Sequence, residues 1–72
     1  MFVPLVRVQF RPRRQEERVV ALAAGATVAD VLREVGQPAS STLVVRGQDP
    51  VGESEPVVDG ETLLLVSSFS GG

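Results

Sequence analysis

Apolar and polar positions alternate at the start of the chain, where Val6, Val8 and Phe10 are separated by Arg7 and Gln9. A period of two puts one set of side chains on each face and predicts a half-buried strand over residues 2–10. Pro4 lacks an N–H and is tolerated only because it lies near the strand's start. Arg11-Pro12-Arg13-Arg14-Gln15 breaks the alternation and reads as a turn. A second strand is predicted over residues 17–24, and the short link makes the two an antiparallel hairpin.

After Gly25 the period changes. Val28, Val31, Leu32 and Val35 fall at i, i+3, i+4 and i+7, one apolar stripe on a helix at 27–36. Thr27 and Asp30 have capping-box spacing at its start. Gly36 suits a left-handed cap at its end, and Pro38 blocks continuation. The stripe belongs to the core rather than to a cofactor site, and Asp30, Arg33 and Glu34 face water. Thr42 to Arg46 reads as a third strand ended by Gly47. Gln48 to Pro56 reads as turns with room for one short edge strand. Asp59-Gly60 is a tight-turn signal. Thr62 to Ser68 is the last strand, with Leu63 and Leu65 on one face and Leu64 and Val66 on the other. A strand apolar on both faces sits at the centre of its sheet.

The fold class is therefore α+β: a mixed sheet of four to five strands with one helix packed on one face. Val6, Val8, Val28, Val31, Leu32, Val35, Leu63 and Leu65 are the expected core. Residues 1–68 form the domain, and residues 69–72 are a tail.

Composition narrows the chemistry. A chain of 72 residues makes one domain, with no cysteine and no histidine. It buries only about 60% of the surface its unfolded form exposes, so stability on the order of 4–10 kcal/mol is expected from one small core. Without Cys or His there is no hydrolase triad, thiol nucleophile or His-based metal site. No catalytic residue and no metal ligand set is expected, and the chain reads as something other than an enzyme. It has no secretory leader pattern and no stretch near the ~18 apolar residues of a membrane span, so a soluble, cytoplasmic monomer is expected. All seven basic residues are arginine and none is lysine. A GC-rich coding sequence and protection against self-attachment both account for that. The net charge of −2 argues against general nucleic-acid binding. The turn around Arg11, Arg13 and Arg14, with Arg18 just beyond, reads as a solvated loop partly neutralised by Glu16 and Glu17 rather than a docking patch for RNA or an acidic partner, since no aromatic residue interleaves for base stacking.

The end of the sequence carries the remaining signal. Asp59-Gly60-Glu61 is followed by the aliphatic run Leu63 to Val66, then by Ser67-Ser68-Phe69-Ser70-Gly71-Gly72. This pattern resembles the ubiquitin-like sulfur carriers, including ThiS, MoaD, the TtuB-type tRNA-thiolation carriers and the small archaeal modifier proteins. Val44-Val45-Arg46-Gly47 and the ending from Val66 resemble the TtuB-type carriers most. Residues 1–40 agree in element order only.

The resemblance implies a β-grasp fold with the first and last strands paired in parallel at the sheet centre. It also implies the chemistry. A partner activating enzyme, using its own ATP and magnesium, adenylates the Gly72 carboxylate. A sulfur donor or sulfurtransferase then converts it to a thiocarboxylate for tRNA thiolation or cofactor synthesis, or a target lysine takes the acyl group. Gly72 is the covalent attachment site, Gly71 the second unhindered joint beside it. Phe69 and Ser70 belong to the partner-binding tail, while Asp59, Gly60 and Glu61 form a structural turn. No cofactor is bound by the chain itself. The alternative is a non-covalent ubiquitin-like interaction module with an inert tail.

The absence of lysine generates a prediction. Self-linked lysine chains should never form, leaving the α-amine of Met1 as the sole acceptor for self-attachment. Mass spectrometry of conjugates should find Gly72 joined to lysines of other proteins, and a Gly-Gly remnant on a side chain of this protein would contradict the expectation.

Overall fold

The computed structural model describes residues 3–11 and 17–67. Their elements, in chain order, are β1 (Leu5–Arg11), β2 (Glu17–Ala21), α1 (Val28–Val35), a single 3-10 turn (Ala39–Ser41), β3 (Thr42–Arg46), β4 (Asp49–Val51) and β5 (Thr62–Ser67). The five strands make one mixed sheet in the order β2-β1-β5-β3-β4. β1 pairs antiparallel with β2 and parallel with β5, and β3 pairs antiparallel with β5 and β4. The parallel central pair and the short edge strand are as the sequence and its resemblance led us to expect.

Several boundaries differ from the sequence reading. β1 begins at Leu5, because Pro4 has no N–H to give; its carbonyl instead accepts from the Leu22 N–H at 3.0 Å. β2 stops at Ala21 rather than Ala24, since beyond Leu22 the chain tightens through an Ala26 N–H bond to the Ala23 carbonyl, 3.1 Å. Leu22 and Ala26 are nevertheless buried.

The helix packs on one sheet face. Val6 and Val8 of β1, Leu63 and Leu65 of β5, and Val28, Val31 and Leu32 of α1 are all 3% exposed or less. Val35 is only partly buried, because it closes the last turn beside solvent-facing Gly36. Burying a Val or Leu side chain contributes about 1.5–3 kcal/mol, and no buried polar or charged residue interrupts this set among the described residues.

Both helix ends are satisfied. The capping box is present, and the Thr27 N–H donates to Asp30 Oδ2 at 2.8 Å. The N–H groups of Val28 and Ala29, which no intrahelical carbonyl can accept, donate to the carbonyls of Glu55 and Glu53, each at 2.9 Å. At the other end Gly36 adopts φ +75°, open to glycine without a Cβ clash. Gly36 donates to Arg33 and Gln37 donates to the Leu32 carbonyl, a Schellman arrangement.

The 52–61 loop is held by Arg46 and Glu61. Arg46 Nε and Nη2 donate to the two Glu61 carboxylate oxygens at 2.7 and 3.2 Å, a bidentate pair. Arg46 Nη2 also donates to the Pro56 carbonyl, and Glu61 Oε2 accepts from the Val58 N–H. The Glu61 hydrogen bonds push the Arg46 pKa further up, so the cation is fixed at every relevant pH.

Two predictions follow from the packing and the cap. Leu32→Ala should cost roughly 2–5 kcal/mol, read as the shift in denaturant midpoint; a shift near zero would place Leu32 outside the core. The Thr27 backbone bond, aided by Arg33, holds the Asp30 carboxyl below its ordinary range despite some desolvation. A depressed folded-state pKa contributes stability above the unfolded value of about 3.9 that is lost as pH falls below it. Stability should therefore drop less steeply below about pH 4 in Asp30→Asn than in the wild type; identical acid profiles would remove this role.

Candidate functional site

β5 ends at Ser67, and the residues that the sequence marked as functional follow it in the chain. Leu63 and Leu65 face the helix, so Leu64 and Val66 face the opposite side of the sheet. There they meet β3 in two directly opposed pairs, Val45 with Leu64 and Leu43 with Val66. Pro50 of β4 lies beside Val45, while Gln9 and Arg11 of β1 lie beside Leu64 and Val66. The result is an aliphatic patch on the open face of the sheet, bordered by β1 polar groups and ending one residue before Ser67. Leu43 is 48% exposed, and Leu64, Val45 and Val66 are half-buried by their neighbours. Sequence reasoning did not assemble this patch, although the second apolar face of the last strand was its visible signal.

The charged groups are arranged for structure more than for chemistry. Arg7 Nε lies 3.1 Å from Glu17 Oε2 with both side chains more than 40% exposed, a pair of little energetic weight. Arg11 shares the open face with Val66, whereas Arg18 stands opposite Val8 and so has the helix-side parity. The two described members of the arginine cluster thus lie on opposite faces of the sheet. Pro12 to Glu16, with Arg13 and Arg14, lie outside the described residues.

Asp59, Gly60 and Glu61 form a structural turn, as the sequence suggested. Asp59 Oδ1 accepts from the Leu5 N–H at 2.8 Å, Gly60 N–H donates to the Leu5 carbonyl at 2.7 Å with φ +85°, and Glu61 holds Arg46. These bonds set the register at which β5 joins β1.

The tail residues Phe69, Ser70, Gly71 and Gly72 lie outside the described residues. Among the described residues no group of three acidic or other ligating side chains could hold a metal, and no helix is long and apolar enough to cross a membrane. Open depressions of about 320, 280 and 280 Å3 occur. The first, between the Ala21–Ala26 turn and the Asp30–Glu34 face of α1, is far in sequence from the tail and is lined chiefly by alanine and glycine.

No protein-family model matches the chain, and no curated protein matches it in sequence. Solved structures do match in shape. The ubiquitin of Caldiarchaeum subterraneum superposes with a TM-score of 0.75 at 18% identity, covering 99% of this chain and 100% of that one. The ubiquitin-like domain of Plasmodium falciparum Dsk2 gives 0.75 at 22% identity over 93% of this chain and 100% of that one. A ubiquitin-like domain from Arabidopsis thaliana gives 0.77 at 8% identity over 100% of this chain and 84% of that one. With its parallel central strands and a helix packed on one face of the sheet, this chain has the ubiquitin-like β-grasp fold.

Proposed function

We propose that this protein is a ubiquitin-like sulfur carrier or protein modifier whose Gly72 carboxylate is activated by a partner enzyme. The observation that carries this reading is the aliphatic patch of Leu43, Val45, Leu64 and Val66, built on the strand that leads directly into the Ser68 to Gly72 segment. A partner gripping that face holds the root of the tail at the same time. Exposed aliphatic side chains in contiguous register are what a protein partner desolvates at the centre of an interface.

The chemistry then belongs to the chain end. The Gly72 carboxylate, free or exposed by removal of any following residues, attacks the α-phosphate of ATP in the partner's site and displaces pyrophosphate. A carboxylate is a poor acylating group and the acyl-adenylate a good one. Sulfide delivered by a donor replaces AMP and leaves a thiocarboxylate, or a lysine amine of a target protein replaces AMP and leaves an amide. The absence of Cβ atoms at Gly71 and Gly72 suits a narrow channel, and Phe69 and Ser70 engage the partner along the way. ATP, magnesium and the sulfur source are supplied by the partners. Within the reading, the resemblance of the ending to TtuB-type carriers favours tRNA thiolation among the sulfur pathways.

The test is a tail truncation. Deleting Gly71 and Gly72 should change unfolding stability by no more than ~0.5 kcal/mol, the range of neutral surface changes. The same deletion should abolish ATP-dependent activation by the adenylating enzyme. In the wild type, incubation with that enzyme, ATP and sulfide should raise the intact mass by the exchange of one oxygen for one sulfur. A bulky residue appended after Gly72 should block this until it is removed. Activation of the truncated protein, or no mass change in the wild type, would leave the interaction-module reading in its place.

A further inference from the structure

The sheet order leaves β2 and β4 at its two edges. An edge strand presents a row of unpaired N–H and C=O groups, and natural edges are blunted by shortness, proline or charge. β4 is short and carries Pro50. β2 has no proline, and on the open face of the sheet it shows Val19 and Ala21, both exposed, Val19 at 59%. Exposed Leu5 of β1 lies on the same face, directly beside Ala21. The one charge of β2 on that face, Glu17, is taken by Arg7, and Arg18 has the opposite parity.

The ladder between β1 and β2 fixes which backbone groups of β2 point away from the sheet. The Leu22 N–H donates to the Pro4 carbonyl, in the same register that pairs Val6 with Val20 and Val8 with Arg18. Antiparallel pairs alternate between hydrogen-bonded and non-hydrogen-bonded. Arg18 and Val20 therefore bond to β1, while Glu17, Val19 and Ala21 turn their N–H and C=O groups outward. None of these outward groups has a backbone partner among the described residues.

That spacing is self-complementary. Turned by a two-fold axis through Val19, a second copy sets Val19 opposite Val19 and Glu17 opposite Ala21, so every outward group of β2 meets a partner. The same register sets Arg18 opposite Val20, with no like charges opposed. A register centred on Arg18 opposes two guanidinium groups, which is destabilising, and one centred on Val20 leaves Glu17 outside the paired segment. We propose that two copies of this protein associate through β2, antiparallel and centred on Val19, into one continuous sheet with both helices on the same face. This replaces the monomer expected from the sequence. Val19 of each copy then covers the other, a closed isologous contact. The patch of Leu43, Val45, Leu64 and Val66 lies on β3 and β5, with β1 between it and the joined edge, so it stays open to a partner.

Sedimentation equilibrium of the full chain tests the association. The mass should rise from one chain toward two as concentration is increased into the millimolar range. Val19→Arg, at an exposed position, should stay at the mass of one chain throughout, with thermal unfolding showing that it is folded. Cysteine cross-linking tests the register, because the chain has no cysteine of its own. Val19→Cys places two sulfurs on directly opposed residues, with Cα atoms about 5.5 Å apart, inside the range a disulfide spans. Arg18→Cys places them two residues out of register, beyond bridging reach. Mild oxidation should therefore link Val19→Cys chains in pairs and leave Arg18→Cys chains single. A constant single-chain mass, a dimer that survives Val19→Arg, or a Val19→Cys yield no higher than that of Arg18→Cys would overturn the proposal. None of these readouts uses an activating enzyme, so their failure leaves the carrier reading standing.

Discussion

The parallel pairing of β1 with β5 is the constraint on which the rest depends. It joins residues more than fifty positions apart, Val8 with Leu63 and Phe10 with Leu65. Without it the N-terminal hairpin and the β3–β4 hairpin share no sheet, and α1 has no continuous surface to cover. Closing so long a loop costs conformational entropy before contacts reward it. The Asp59-Gly60 turn offsets part of that cost by bonding both backbone groups of Leu5, after which the Arg7 N–H donates to the Glu61 carbonyl at 2.9 Å. Parallel direction also means that β1 and β5 end at the same end of the sheet, Arg11 beside Val66, with Ser67 beside Thr42 of β3.

A second layer of constraint runs through the loop between β4 and β5. Carbonyls of Glu53 and Glu55 accept the first helical N–H groups, and the Val57 N–H donates to Ala26. Arg46 and Glu61 clamp the same loop from the sheet side, with Glu61 only 12% exposed. These charges satisfy backbone and each other rather than pointing at a ligand. Asp59, Gly60, Glu61 and Arg46 are thus committed to holding β5 in register. On the open face of the sheet the fold leaves the aliphatic patch of Leu43, Val45, Leu64 and Val66 uncommitted.

Much of the fold was legible because its signals are local. The helix of Val28–Val35 carried its stripe, cap and glycine stop in ten consecutive residues, and β3 was read residue for residue. The strand ends were not legible where a tertiary bond decided them, as at Pro4 and Leu22. The 3-10 turn at Ala39–Ser41 is too short to carry a period. Pairing order is a non-local property, and only the resemblance to β-grasp carriers supplied it. The open-face patch was half legible: Leu64 and Val66 showed a second apolar face, but Leu43 and Val45 joined it only through register. The chemistry assigned to Gly72 comes from the resemblance and from the absence of catalytic side chains, not from any arrangement of groups in the domain.

The central claim is that the open face of β3 and β5 directs a partner to the tail while contributing little to folding. Replacing Leu43 with glutamate puts a charge into that patch, at a position nearly half exposed. The measurement is intact-mass detection of activated or sulfur-bearing protein after incubation with the adenylating enzyme, taken beside thermal unfolding of the same sample. The account predicts a stability change within the ~1 kcal/mol span of strand substitutions and loss of activation at Gly72. Activation equal to that of the wild type, in a protein that remains folded, would contradict it.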